Sequence, residues 1–144
     1  MTLSLWMLLG FAAWTVFVLL VGVGIYRWSL IFTGRASLTS FPGDTPHGSV
    51  DYRRAVRAHA NCVENLPVFA SVVLTAAVLH VTPQHFGTLA AAVLVGRVLQ
   101  SSIHMLLPES NLTIGLRFTA FLVQVMAMVA MGVLLALAMP PFTA

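Results

Sequence analysis

Residues 57–81 read RAHANCVENLPVFASVVLTAAVLHV, and the order of chemistry along them decides the fold. Arg57, Asn61 and Glu64 come first, and from residue 61 to residue 81 the stretch is otherwise mainly apolar. About 20 such residues make a helix long enough to cross a bilayer. Three more windows of that kind lie at residues 5–26, 86–107 and 114–139. The chain therefore reads as an all-α membrane protein, one domain over residues 1–144, folded as a four-transmembrane-helix up-down bundle.

Composition agrees. With 59% hydrophobic and 8% charged residues and a mean hydropathy of +0.95, too little polar side chain is present to coat a soluble globule. All seven basic residues are arginine, whose planar fork suits paired recognition of carboxylates. Although the pI is near 10.0, arginines strung along four spans form no patch of the kind duplex DNA requires, which excludes nucleic acid as a partner. The single cysteine, Cys62, rules out an intrachain disulfide, and no histidine pair has the spacing of a zinc site, so no metal is expected.

The connections follow from breakers and charge. Residues 33–49 are rich in Gly, Pro, Ser and Thr and read as a polar loop, while Pro83 and Pro108 mark tight turns between antiparallel spans. The amino terminus lacks the basic start and small-residue cleavage site of a secretory signal, so the first window is expected to persist as a helix. Arg27, Arg35, Arg53, Arg54 and Arg57 flank the first loop and Arg117 the third. The positive-inside bias then places both of those loops in the cytosol and both termini on the opposite side. The glycosylation-type triplet Asn111, Leu112, Thr113 falls on the cytosolic side, where such modification does not occur.

Helical spacing sorts the remaining polar residues into stripes. Arg57, Asn61 and Glu64 fall at i, i+4 and i+7; Arg97, Ser101 and His104 repeat that spacing, with Gln100 at the edge; Arg117, Phe121 and Gln124 do so again. These stripes could line a polar cleft open to the cytosol. Charged groups within spans face partners, water or a ligand, because hydrocarbon disfavours them by several kcal/mol. Arg57 and Glu64 could pair to hold helices together. Pairing Arg57 with Glu64 leaves Arg97 and Arg117 against one other nearby carboxylate, Glu109, and that surplus of positive charge calls for an anionic ligand.

The run from Arg57 to Phe69, with Arg, Asn, Glu and a following Pro at this spacing, resembles the second-helix signature of the MAPEG superfamily, the membrane-associated proteins in eicosanoid and glutathione metabolism. Chain length, four spans, a long first loop, Gly96-Arg97 in the third span and Arg117 leading an aromatic-rich fourth extend the resemblance over the whole sequence. What it implies is a homotrimer with glutathione held between protomers near the cytosolic face. It further implies a microsomal glutathione transferase-like enzyme, a transferase or peroxidase acting on lipophilic small molecules drawn from the membrane lipid. On that resemblance Arg57, Asn61 and Glu64 hold the tripeptide, Arg97, His104, Gln100 and Phe121 belong to the same site, Arg35 reaches a glutathione carboxylate, and Arg117 is the catalytic group that favours the thiolate. Asn65, His104 and Phe121 stand where the family often has tyrosines. Their place suggests the alternative of a non-catalytic lipid-binding or scaffold protein of the same fold. A small transporter is the poorest fit, since four helices without inverted repeats make a weak alternating-access machine.

Overall fold

The computed structural model describes residues 2–42 and 47–139, and within them every regular element is helical. Four stretches are long and apolar enough to cross a membrane: Leu3–Phe32, Val50–Val78, Phe86–Leu106 and Asn111–Ala138. The first is composite, with α1 (Leu3–Phe17) passing through a seven-residue π-helical segment, Val18–Gly24, into α2 (Ile25–Phe32). The others are α3 (Val50–Val78), α4 (Phe86–Leu106) and α5 (Asn111–Ala138).

Helix ends obey local chemistry. Ser49 caps α3, its hydroxyl accepting from the Tyr52 amide at 3.2 Å, and Asp51 places negative charge in the first turn, where the helix dipole favours it. At α5 the Ser110 and Thr113 side chains satisfy each other's backbone amides. The α3–α4 turn around Pro83 is tight enough to put His80 and His85 at positive φ, 55° and 64°. Those are left-handed conformations that branched or bulky residues resist.

Sequence windows and helices differ most at α3, which begins at Val50 rather than near residue 61. Twenty-nine residues at about 1.5 Å each give a helix of about 43 Å, well beyond a hydrocarbon core of about 30 Å. The surplus is the arginine-bearing start, which hydropathy alone cannot recognise as helix. It carries Arg53, Arg54 and Arg57.

Helix α4 packs against every other span, most extensively against α5. Phe11, Phe69, Phe86, Val93 and Met131 belong to the main core, and a smaller cluster of Val23, Tyr52 and Ala55 closes the first span onto α3 near the charged end. Two glycines permit the closest contacts. A methyl at Gly22 would stand 2.9 Å from Ala55 Cβ, and one at Gly96 would stand 2.7 Å from Gln124 Cγ. Small residues at helix contacts of this kind are how spans approach in lipid, where no hydrophobic effect presses them together. The outward faces carry Trp6, Leu9, Leu20, Phe118, Leu122 and Val129, as a bilayer solvent requires.

Candidate functional site

At the end of the bundle where α3 and α5 begin and α4 ends, the helices part around two connected hollows. The outer one, about 570 Å³, is lined by Val50, Arg53, Arg54, Arg57, Asn61, His104, Glu109 and Arg117. The inner one, about 230 Å³, is lined by Ala58, Asn61, Arg97, Gln100, Ser101, His104, Ile114, Arg117, Phe118 and Phe121. Asn61, His104 and Arg117 border both. The cleft is therefore one cavity with a wide mouth and a narrow floor.

Its charge is one-sided. Arg53, Arg54, Arg57, Arg97 and Arg117 line it, opposed by the single lining carboxylate of Glu109. Glu109 is 63% exposed and stands 4.0 Å from Arg117, the outer limit of an ion pair, where solvent leaves little attraction. Arg54 has a similarly loose contact with Asp51 at 3.8 Å.

The floor differs from the mouth. Arg97 is fully buried, and its Nε, Nη1 and Nη2 have no hydrogen-bond partner. Its guanidinium lies 5.5 Å above the centre of the Phe11 ring, a cation–π contact from α1. It lies nine residues before Leu106, so it is about 14 Å below the charged end of α4. Beside it, Ser101 accepts from the Trp14 indole at 2.7 Å and donates to the Arg97 carbonyl at 2.6 Å, fixing this part of α4 against α1. Gln124, fully buried, donates to Gln100 Oε1 at 3.0 Å and to the Ala120 carbonyl at 2.9 Å, tying α5 to α4 behind the cleft.

Arg57, Asn61, Arg97, Gln100, His104, Arg117 and Phe121 thus share one cleft. Glu64 and Arg35 do not line it: Glu64 is exposed on α3, and Arg35 is exposed in the loop after α2. The α3 stripe diverges because the packed face of that helix runs through Ala55, Ala58 and Cys62. Asn61 borders that face, whereas Glu64 is turned further from it. Arg27, which also flanks the first loop, is engaged elsewhere. Its Nε donates to the Tyr52 hydroxyl at 2.6 Å, and it lies over the Phe41 and Tyr52 rings.

Sequence reasoning missed the α1 contribution. Phe11 and Trp14 support the floor, and their spacing with Thr15 and Val18 on one helical face was the available signal. Arg53 and Arg54, which in the sequence flank the first loop, line the outer hollow as well. Both of the chain's tyrosines lie outside the cleft, Tyr26 and Tyr52 stacking at 4.5 Å. Among the described residues no group of three or more His, Cys, Asp or Glu is arranged to hold a metal.

The family model of the MAPEG family matches residues 4–137, nearly the whole chain. No curated protein and no solved structure is significantly similar to the chain.

Proposed function

We propose, for a chain that belongs to the MAPEG family, a glutathione-dependent integral membrane enzyme that activates the tripeptide's thiolate for attack on lipophilic electrophiles or lipid peroxides. The observation that carries this reading is Arg97, a fully buried guanidinium with no hydrogen-bond partner on the floor of an arginine-lined cleft. Such a group is strongly disfavoured in a bilayer without an anion, and a bidentate carboxylate suits its geometry. The outer hollow, at about 570 Å³, is within the range of about 300–1,000 Å³ usual for small-molecule sites.

In this reading Arg57 and Asn61 grip the tripeptide at the mouth and Arg97 with Gln100 and His104 at the floor. Arg117 faces the sulfur. A thiol ordinarily ionises near pH 8.5, and each unit of lowering corresponds to about 1.4 kcal/mol of preference for thiolate. With both tyrosines stacked outside the cleft, stabilisation of the sulfur anion rests on a guanidinium rather than a phenol. In transfer, the thiolate forms a carbon–sulfur bond while the leaving group departs with its electron pair; Phe118 and Phe121, both exposed beside the inner hollow, offer the lipophilic partner an apolar wall. In peroxide reduction two glutathiones become the disulfide, and the hydroperoxide leaves as alcohol and water.

Glu64 and Arg35 enter the proposal through assembly. Both are exposed in the single chain, and a homotrimer with the tripeptide at a protomer boundary would let Glu64 meet the glutamyl ammonium and a neighbour's Arg35 meet a carboxylate. The charged end then faces the cytosol and both termini the opposite side. The test is conjugation of a chromogenic electrophile by purified protein in detergent. Arg117→Ala is expected to lose about a hundredfold in rate, the worth of about 2.7 kcal/mol, and Arg117→Lys less. Parental activity in Arg117→Ala refutes the role.

A second reading, a non-catalytic lipid-binding or scaffold protein of this fold, is favoured by one observation: no tyrosine hydroxyl lines the cleft. Calorimetric titration separates the two, because lipid binding without saturable glutathione binding supports the scaffold.

A further inference from the structure

We infer that the floor of the cleft is a binding site for a small, weakly hydrated monovalent anion of the thiocyanate or halide type, seated on Arg97 and competing with the tripeptide. Arg97 is fully buried with none of its three guanidinium nitrogens hydrogen-bonded. The Phe11 ring beneath it offers a diffuse attraction and no acceptor. Glu64 is the carboxylate within electrostatic reach, but it is exposed and forms no ion pair with Arg97.

Other donors converge on the same small chamber. Asn61, Gln100 and Arg117 line it with Arg97, and its volume of about 230 Å³ suits a small ion with a few waters better than a second bulky ligand. Entry to a buried floor requires shedding water, and that penalty is smallest for large, polarisable monoanions. The arginines of the mouth, Arg53, Arg54 and Arg57, raise the local anion concentration on the way in. A soft anion also resembles a thiolate in charge and polarisability, which makes it a competitor for the same donors.

The competition rests on the proposed glutathione reading; the ion site itself does not. The direct measurement is the chloride NMR linewidth over detergent-solubilised protein. Saturable excess broadening is expected, displaced by thiocyanate, abolished in Arg97→Gln and retained in Arg53→Gln. The second arm is glutathione calorimetry at fixed ionic strength. A site with a Kd on the order of 10 mM weakens apparent glutathione affinity about tenfold at about 100 mM thiocyanate, with fluoride and sulfate far less effective. Absence of excess broadening from the parent protein overturns the site, as does its loss in Arg53→Gln but not in Arg97→Gln. So does equal weakening by all salts, which is plain screening. Broadening that depends on Arg97 in a protein that fails to bind glutathione sustains the ion site and sinks the tripeptide reading instead. Should Arg97→Gln not fold, Arg97→Lys keeps the charge without the fork, and unchanged thiocyanate displacement in it refutes the guanidinium-specific seat.

Discussion

Gly96 is where the cleft depends most directly on a single missing atom. It is buried on α4 beside Arg97, and an added methyl would stand 2.7 Å from Gln124 Cγ, 3.2 Å from the Ala120 carbonyl oxygen and 3.3 Å from Gln124 Cδ. Gln124 cannot swing aside freely, since its amide is committed to Gln100 Oε1 and the Ala120 carbonyl. In Gly96→Ala, overpacking costs about 1–3 kcal/mol. Loss of the glutamine pair costs about 1 kcal/mol more. The better helix propensity of alanine returns about 1 kcal/mol. The expected net loss is about 1–3 kcal/mol, and on the order of 2–4 °C in Tm accompanies each kcal/mol in a chain of this size. Because α4 and α5 must part at the level of Arg97, glutathione affinity should fall with stability. Circular dichroism melting in detergent, paired with calorimetry, reads both. Gly115→Ala and Gly132→Ala are the controls, because nothing lies within 4 Å of either added methyl, and these variants should melt at or slightly above the parent. If Gly96→Ala melts with the controls and binds normally, the close α4–α5 contact is wrong, and so is the chamber built on it.

Two further outcomes follow from residues outside the cleft. Tyr52→Phe removes the acceptor of the Arg27 Nε and should cost about 1–2 kcal/mol of stability while turnover per bound glutathione stays at the parental value; a collapse of turnover would mean a phenol acts in the chemistry after all. Glu64→Gln should weaken glutathione by about 10-fold to 100-fold in calorimetry, the worth of one charge-assisted hydrogen bond, and an unchanged affinity removes Glu64 from the tripeptide's contacts.

The four spans were legible because hydropathy over about 20 residues is a long, averaged signal that single exceptions such as Arg97 do not erase. Pro83 and Pro108 marked their turns by chemistry that acts locally. Less was legible where a helix continued into polar sequence. The start of α3 was hidden by Arg53, Arg54 and Arg57, although Ser49 and Asp51 carried a capping signal that could have moved the boundary back. The π-helical segment Val18–Gly24 left no trace in residue type. Its close contact depends on Gly22 meeting Ala55 across space, which periodicity within one helix cannot report. The polar stripes divided for the same reason. Spacing says which residues share a face, as Arg57, Asn61 and Glu64 do. Only packing says which edge of that face turns inward, and it turned in Asn61 and left Glu64 exposed.

Arg97 joins the argument about folding to the argument about function. A guanidinium about 14 Å below the charged end, fully buried and without a hydrogen-bond acceptor, opposes folding by several kcal/mol. The Phe11 ring returns about 0.5–2 kcal/mol and leaves most of that penalty standing. Val93 and Ala90, one and two turns away on the same buried face of α4, are small and apolar, and Arg97 breaks that run. A residue that weakens the bundle at such a place is intelligible when its partner arrives from outside, for then any anion that binds the native state and not the unfolded one restores stability through the same contact that recognises it. Stability and ligand affinity are, at Arg97, two measurements of one interaction.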